Sequence, residues 1–294
     1  MTTADLLNIL ASTLRVSTPL IFAALGGCLS ERSGVVNISL EGKMLVGAFW
    51  AASVGAWTHN PELALVAGAL AGAAIGALYA FFVVFLSANQ IVVGTAINFF
   101  AMGLCPFFSR IFFGSTGSTP MLPLESRFTI FPLWLAWGLV VVVSLFFKKT
   151  RGGLIVAFAG EKPNALDAAG LSVAKTRWAS VVAAGFLAGL GGASLSVYLS
   201  SGFSRNMTAG RGFMALAALI LGKWRPFPAA LACVFFGLTE ALQIQLQGVV
   251  LWGTDPVPVQ FIQILPYVVT VVVLAGWVGS SRPPKALGIH YETH

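Results

Sequence analysis

The stretch RGGLIVAFAGEKPNALDAAGLSVAKTR, residues 151–177, decides how the chain is read. It is the longest interval without an apolar run able to cross a bilayer, and it carries charges that the rest of the chain avoids. Pro163 suits the first position of a helix, where its missing N–H costs nothing, and Gly170 suits a left-handed helix end. Such an ending sets Leu171 against Leu166, the apolar contact that accompanies this kind of cap. The spacing therefore predicts a short, capped helix over 163–169. It sits in a loop, residues 148–177, flanked by Lys148, Lys149, Arg151, Lys162, Lys175 and Arg177. An ordered, charged object of this kind between two membrane segments is suited to touching a partner.

Outward from this loop the chain is apolar. Of its 294 residues 57% are hydrophobic and only 9% charged, against roughly one-quarter charged residues in soluble domains. The mean hydropathy is +0.87. The fold class is all-α polytopic membrane protein, with residues 1–294 forming a single transmembrane domain. The net charge of +7 lies between apolar runs and not in a patch with interleaved aromatics, which argues against a nucleic-acid partner and for topology signals. Cys28, Cys105 and Cys233 have neither disulfide-framework nor metal-site spacing. Leu25-Gly26-Gly27-Cys28 faintly resembles a lipoprotein cleavage box, but the residues before Arg15 carry Asp5 and no positive charge, so residues 5–28 read as an uncleaved first helix.

Apolar runs occur at 5–28, 44–57, 64–86, 91–113, 131–147, 178–200, 212–222, 227–247 and 261–279, which predicts about nine crossings. The runs 44–57 and 212–222 are short for a full span and are expected to be broken or to draw on preceding residues. Placing loop 148–177 in the cytoplasm gathers Arg32, Lys43, Lys223, Arg225, Arg282 and Lys285 on the same side and leaves Arg110, Arg127, Arg205 and Arg211 outside. The N-terminus is then outside and the C-terminus cytoplasmic. Connections 114–130 and 248–260 become external loops able to receive an external partner.

Two glycine series, Gly68/Gly72/Gly76 and Gly185/Gly189, have the spacing that lets transmembrane helices approach closely. Two further segments form a pair. SGVVNISLEGKMLVGAFW (33–50) and NMTAGRGFMALAALILGKW (206–224) both pass from small polar residues through a Gly-basic pair into a short apolar run. On this topology they enter from opposite sides, an inverted internal repeat of the kind that marks a translocation path. Asn37 and Glu41 belong to the first segment. Elsewhere, Glu240 is the clearest ionisable group inside an apolar run, with Gln243 and Gln247 following on one helical face, and Asn98 lies in the run 91–113. Asn37, Glu41, Asn98, Glu240, Gln243 and Gln247 are the candidate substrate-path residues. A phosphate-binding loop is missing, since Gly222-Lys223 lacks the earlier glycine and the following hydroxyl residue. With no catalytic constellation and no metal set, the chain does not read as an enzyme.

The segment Arg32–Gly42 resembles the early signature of permeases of the branched-chain amino acid and ribose type, which belong to binding-protein-dependent ABC importers. Gly210–Ala218 and Gly222-Lys223-Trp224-Arg225-Pro226 resemble the nucleoside and simple-sugar branch. Gly160–Gly170 looks like that family's cytoplasmic coupling loop. The resemblance implies a permease in a bacterial cell (inner) membrane, paired with a second, homologous permease as a heterodimer. It also implies an ABC ATPase subunit and an extracellular or periplasmic substrate-binding protein. ATP and Mg are then used by the ATPase, with no cofactor on this chain. The coupling residues are Glu161, Pro163, Asn164, Ala165, Leu166, Asp167, Ala168, Ala169 and Gly170, with Ala165, Leu166, Ala168 and Ala169 inserting into a groove on the ATPase. The implied cargo is a nucleoside, a related ribose-bearing solute, a simple sugar or a flavin. The competing reading is a stand-alone secondary transporter or channel, which would be expected to carry paired embedded charges for a coupling ion.

Overall fold

The computed structural model describes residues 3–246 and 282–291, with four further positions at 264, 268, 271 and 272. The connection 248–260, most of the run 261–279, and Gln247 lie outside the described residues. Among the described residues ten α-helices follow one another: α1 (Thr3–Arg32), α2 (Leu40–Thr58), α3 (Pro61–Ala80), α4 (Gln90–Phe113), α5 (Phe131–Lys149), α6 (Arg151–Glu161), α7 (Pro163–Ala168), α8 (Val173–Ser194), α9 (Arg211–Leu221) and α10 (Pro226–Leu246). Single π-helical turns at Phe81–Phe85 and Leu195–Leu199 extend α3 and α8. Among the described residues the only β-type pairing is an isolated bridge between Ser118 and Ser204.

Six of these segments are long and apolar enough to cross a membrane: Leu6–Arg32, Pro61–Phe85, Gln90–Phe113, Leu124–Lys149, Val173–Leu199 and Pro226–Leu246. They establish a multi-pass membrane protein. The short runs behave as expected in part. α9 has 11 residues, while α2 draws in Leu40–Lys43 and reaches 19. The α2 helix is the innermost element. Its Lys43, Met44, Ala48, Phe49 and Ala52 are almost fully buried, so its moderate polarity meets protein and not hydrocarbon.

Helix pairing has a simple plan. α1 packs on α8 and α10, whereas α8 packs on α1 and α3; α2 lies against α3 and α8, whereas α9 lies against α1 and α10. The α3–α8 contact is made by the two glycine series. A Cβ at Gly72 would stand 2.5 Å from the Gly189 Cα, and one at Gly76 would stand 3.1 Å from the Gly185 Cα, so backbone meets backbone along this seam. Gly72→Leu is therefore expected to wedge α3 from α8 and destabilise the chain by about 3 kcal/mol, the upper range for overpacking. Thermal unfolding in detergent followed by size-exclusion fluorescence measures the loss. By contrast, α4 and α5 turn Phe100, Phe107, Ile111, Trp134, Val141 and Val142 outward, the surface expected where lipid or another membrane subunit is the solvent.

The 114–130 connection folds back over the 197–205 segment. Thr119 N donates to Phe203 O at 3.1 Å, Leu122 N to Ser201 O at 2.8 Å and Phe128 N to Val197 O at 3.0 Å. Its tip leaves Met121 and Leu124 almost fully exposed.

Candidate functional site

The two paired segments meet. The chain leaves α1 at Arg32, turns through 33–39 and starts α2 at Leu40; it leaves α8, turns through 200–210 and starts α9 at Arg211. At the junction the Glu41 carboxylate accepts the Gly210 amide at 2.8 Å on Oε1 and the Gly212 amide at 2.6 Å on Oε2. A carboxylate here takes up N–H groups that the first turn of α9 leaves without partners, and its charge is stabilised by the positive end of that helix. Helices α2 and α9 thus begin at one place.

Beside this junction lies a cavity of ≈ 390 Å³. Ile38, Glu41, Gly42 and Leu45 line it from the first segment, Thr95, Asn98, Phe99 and Met102 from α4, and Asn206, Thr208, Gly210 and Phe213 from the second. Of the candidate path residues, the structure brings Glu41 and Asn98 together at this cavity. Asn98 has both ends of its amide engaged, accepting from Gly42 N at 2.8 Å and donating to Ile38 O at 3.0 Å, so it shapes the wall as a tie between α4 and the first segment. Asn37 is fully buried behind the wall. Its Oδ1 accepts from Lys43 Nζ at 2.6 Å and from Ser39 Oγ at 3.1 Å. The Lys43 ammonium is also 4.6 Å from the Tyr79 ring.

Glu240 and Gln243 stand apart from that cavity. Glu240 forms an ion pair with Arg211, joining α10 to the start of α9, while Arg211 also donates to Met207 O at 3.1 Å. The polar stripe on α10 is an interhelical tie at Glu240; Gln243 is half-buried, and Gln247 lies outside the described residues. Composition alone did not reveal that Arg211, assigned to an external connection, is the counter-charge for Glu240, because the two are far apart in sequence.

The capped helix forms as expected. α7 starts at Pro163, Gly170 takes a φ of 77°, and Leu171 N closes onto Leu166 O at 3.2 Å. One expectation needs correction. Leu166 is 5% exposed and packs with Ala159 and Val173, so it anchors α7 to its own chain and is not free to enter a partner's groove. The outward face carries Glu161, Asn164, Ala165, Asp167, Ala168, Ala169 and Gly170. The helix α6 had no place in the sequence reading. Its start was nonetheless marked by Thr150, whose hydroxyl accepts Gly153 N at 3.0 Å, because threonine before a helix is a standard cap.

Arg177, read as a topology charge, is instead a buried junction, 4% exposed. Its Nε donates to Ser33 O at 3.1 Å, its Nη1 to Ile289 O at 2.8 Å and its Nη2 to Ala159 O at 3.3 Å. The C-terminal segment completes the assembly: Ala286 N donates to Gly160 O at 2.8 Å and Gly288 N to Gly34 O at 3.0 Å. Tyr291 packs beside the α7 anchor. Its phenol titrates above the ordinary value, first through desolvation and then through its hydrogen bond to the Asp167 carboxylate, with Arg177 opposing. The 33–39 turn is further clamped by Tyr79, whose hydroxyl donates to Val36 O at 2.6 Å, and by Glu31, whose Oε1 accepts Asn37 N at 3.4 Å while its Oε2 accepts Trp224 Nε1 at 2.6 Å.

A helical, multi-pass chain in which the N-termini of two helices converge on a cavity has the architecture of a membrane transport protein. It belongs to the family described as the branched-chain amino acid transport system permease component, whose pattern matches residues 9–274. Among similar chains, the nucleoside ABC transporter permease protein NupC of Lactococcus lactis subsp. cremoris is 38% identical, with 96% of this chain and 96% of the relative covered. The guanosine ABC transporter permease protein NupQ of Bacillus subtilis is 33% identical, again over 96% of each. The putative glucose ABC transporter permease protein TsgC13 of Haloferax volcanii is 35% identical over 86% of this chain and 80% of its own length. No solved structure matches the chain.

Proposed function

We propose that the chain is one permease half of an ATP-driven importer of nucleosides, sitting in the cell membrane with its N-terminus outside and its C-terminus in the cytoplasm. The observation that carries this reading is the convergence of the α2 and α9 N-termini on one cavity, through Glu41, in a chain of this permease family. Nucleosides are favoured over sugars because NupC and NupQ, both named for nucleoside substrates, align over 96% of this chain, against 86% for the glucose-named TsgC13. In this reading α2, α9 and the run 261–279 join the six long spans to make nine crossings. The inverted repeat relates α1–α2–α3 to α8–α9–α10. What supports it is the exchange of neighbours: α3 lies on α8 as α10 lies on α1.

The energy comes from a separate ABC ATPase that uses ATP and Mg. It docks on the outward face of α7, whose small Ala165, Ala168 and Ala169 leave room for a partner's side chains. When the ATPase pair closes, α7 moves with Leu166, Ala159 and Val173 as one packed unit. Arg177 links that unit to the 33–39 turn, which leads directly into α2 and Glu41. A second, homologous permease completes the pathway as a heterodimer, and an external binding protein delivers cargo to the surface that carries Met121 and Leu124.

Proteoliposomes holding both permeases and the ATPase, with binding protein outside, are expected to accumulate nucleosides only when ATP is enclosed on the cytoplasmic side of the permeases. Nucleoside flux through this chain alone would overturn the reading. Ala168→Arg places a bulky charge on the docking face without entering the core. It is expected to lower ATP-driven uptake at least tenfold while leaving the chain's melting temperature in detergent unchanged; normal uptake would remove α7 from the docking surface.

A further inference from the structure

We infer that the cavity between the two paired segments is a nucleoside-binding site in which Phe99 and Phe213 take the base and Glu41 takes the ribose hydroxyls. The inference rests on the nucleoside reading above and goes further, to the residues that hold the cargo and the chemical class they admit.

Three observations carry it. The first is size: ≈ 390 Å³ lies in the range of small-ligand sites and accommodates one nucleoside. The second is the lining. Phe99 on α4 and Phe213 on α9 come from different elements, both remain substantially exposed at 69% and 48%, and both line this one cavity. Other outward phenylalanines of α4, such as Phe100 and Phe107, do not line it. An aromatic ring offers a base a stacking face that tolerates any base.

The third is charge. Among the described residues, Glu41 is the only ionisable one in the lining. Each Glu41 oxygen accepts one amide of α9, and a carboxylate has about four acceptor sites, so roughly two remain for hydroxyl donors. Neighbouring Arg211 is committed to Glu240 and to the Met207 carbonyl and is not part of the lining. The site therefore suits a neutral molecule with an aromatic face and paired hydroxyls. A nucleotide would bring phosphate to a carboxylate with no cation in the described lining, and a hexose would meet the rings only with a C–H face where a nucleoside offers a fully planar base.

The test uses the assembled transporter in detergent and 8-azidoadenosine as the photoprobe, with labelled positions located by peptide mass spectrometry. Label is expected within residues 91–102 and 206–214, displaced by adenosine but not by AMP or glucose. Phe99→Ala and Phe213→Ala should each reduce that label about tenfold, since stacking on an aromatic side chain contributes this order of affinity, and Phe99→Tyr should retain it. Label confined to other positions, label at these peptides that AMP or glucose displaces as well as adenosine does, or label unaffected by both alanine variants would overturn the inference. Failure of the parent reading is separate: unaltered transporter in proteoliposomes would then carry glucose and no nucleoside.

Discussion

Arg177→Ala is expected to give a chain that reaches the membrane in reduced amount, melts well below the parent in detergent and supports no ATP-driven uptake. The guanidinium is buried and donates to carbonyls on three separate stretches: the 33–39 turn, the end of α6 and the C-terminal segment. Hydrogen bonds from a charged donor contribute about 1.5–3 kcal/mol each, and the deleted side chain leaves three carbonyls without that donor. Because the three bonds share one group, their loss is not additive, and a total of about 4 kcal/mol is expected. Arg177→Lys discriminates between charge and geometry. A single ammonium cannot reproduce a planar fork reaching three carbonyls, so lysine should restore insertion but only a small part of uptake. Parental uptake and melting temperature in the lysine variant would show that the charge alone matters at this position.

Glu240→Ala is expected to be nearly as severe. It leaves the Arg211 guanidinium, 22% exposed, without its counter-charge beside the start of α9. Removing one partner of a buried pair costs about 3–5 kcal/mol, and the partial exposure here favours the lower end. The consequence extends to the cavity, because Arg211 opens the helix whose first amides are held by Glu41. The double change Arg211→Leu/Glu240→Leu should recover most of the stability, since an apolar pair of similar volume replaces a buried ion pair at little cost. A double-mutant cycle on thermal unfolding reads the coupling directly. A coupling below about 0.5 kcal/mol would mean that the two side chains act independently.

These two arginines show why part of the site was legible in the sequence and part was not. The capped helix α7 was readable because a proline start and a glycine end are local chemistry, and both appear where expected. The glycine series of α3 and α8 were readable as packing faces, since helical spacing puts each on one side, but that they face each other was not. Leu166 is placed on the docking face, together with Ala165, Ala168 and Ala169, by the resemblance of Gly160–Gly170 to a coupling loop. Its partners, Ala159 and Val173, come from α6 and α8, and only the folded chain turns it inward. Glu41 is legible as part of the first paired segment and Asn98 as a polar group in the apolar run 91–113. Their roles as an α9 cap and a wall tie depend on segments far away in the chain.

The sequence by itself determined that the chain is an all-helical membrane protein, where most of its helices lie, and that it resembles a family of importer permeases. These properties follow from hydropathy, from caps and from motifs that act over a few residues. Only the tertiary structure decided that the two paired segments meet through Glu41, that Arg177 ties the connection between α5 and α8 to the turn before α2, and that Phe99 and Phe213 share a cavity. Each of these joins groups separated by more than a hundred residues, and the reason is physical. Inside a bilayer a polar group must find a partner within the protein, and which partner it finds is set by how the helices pack.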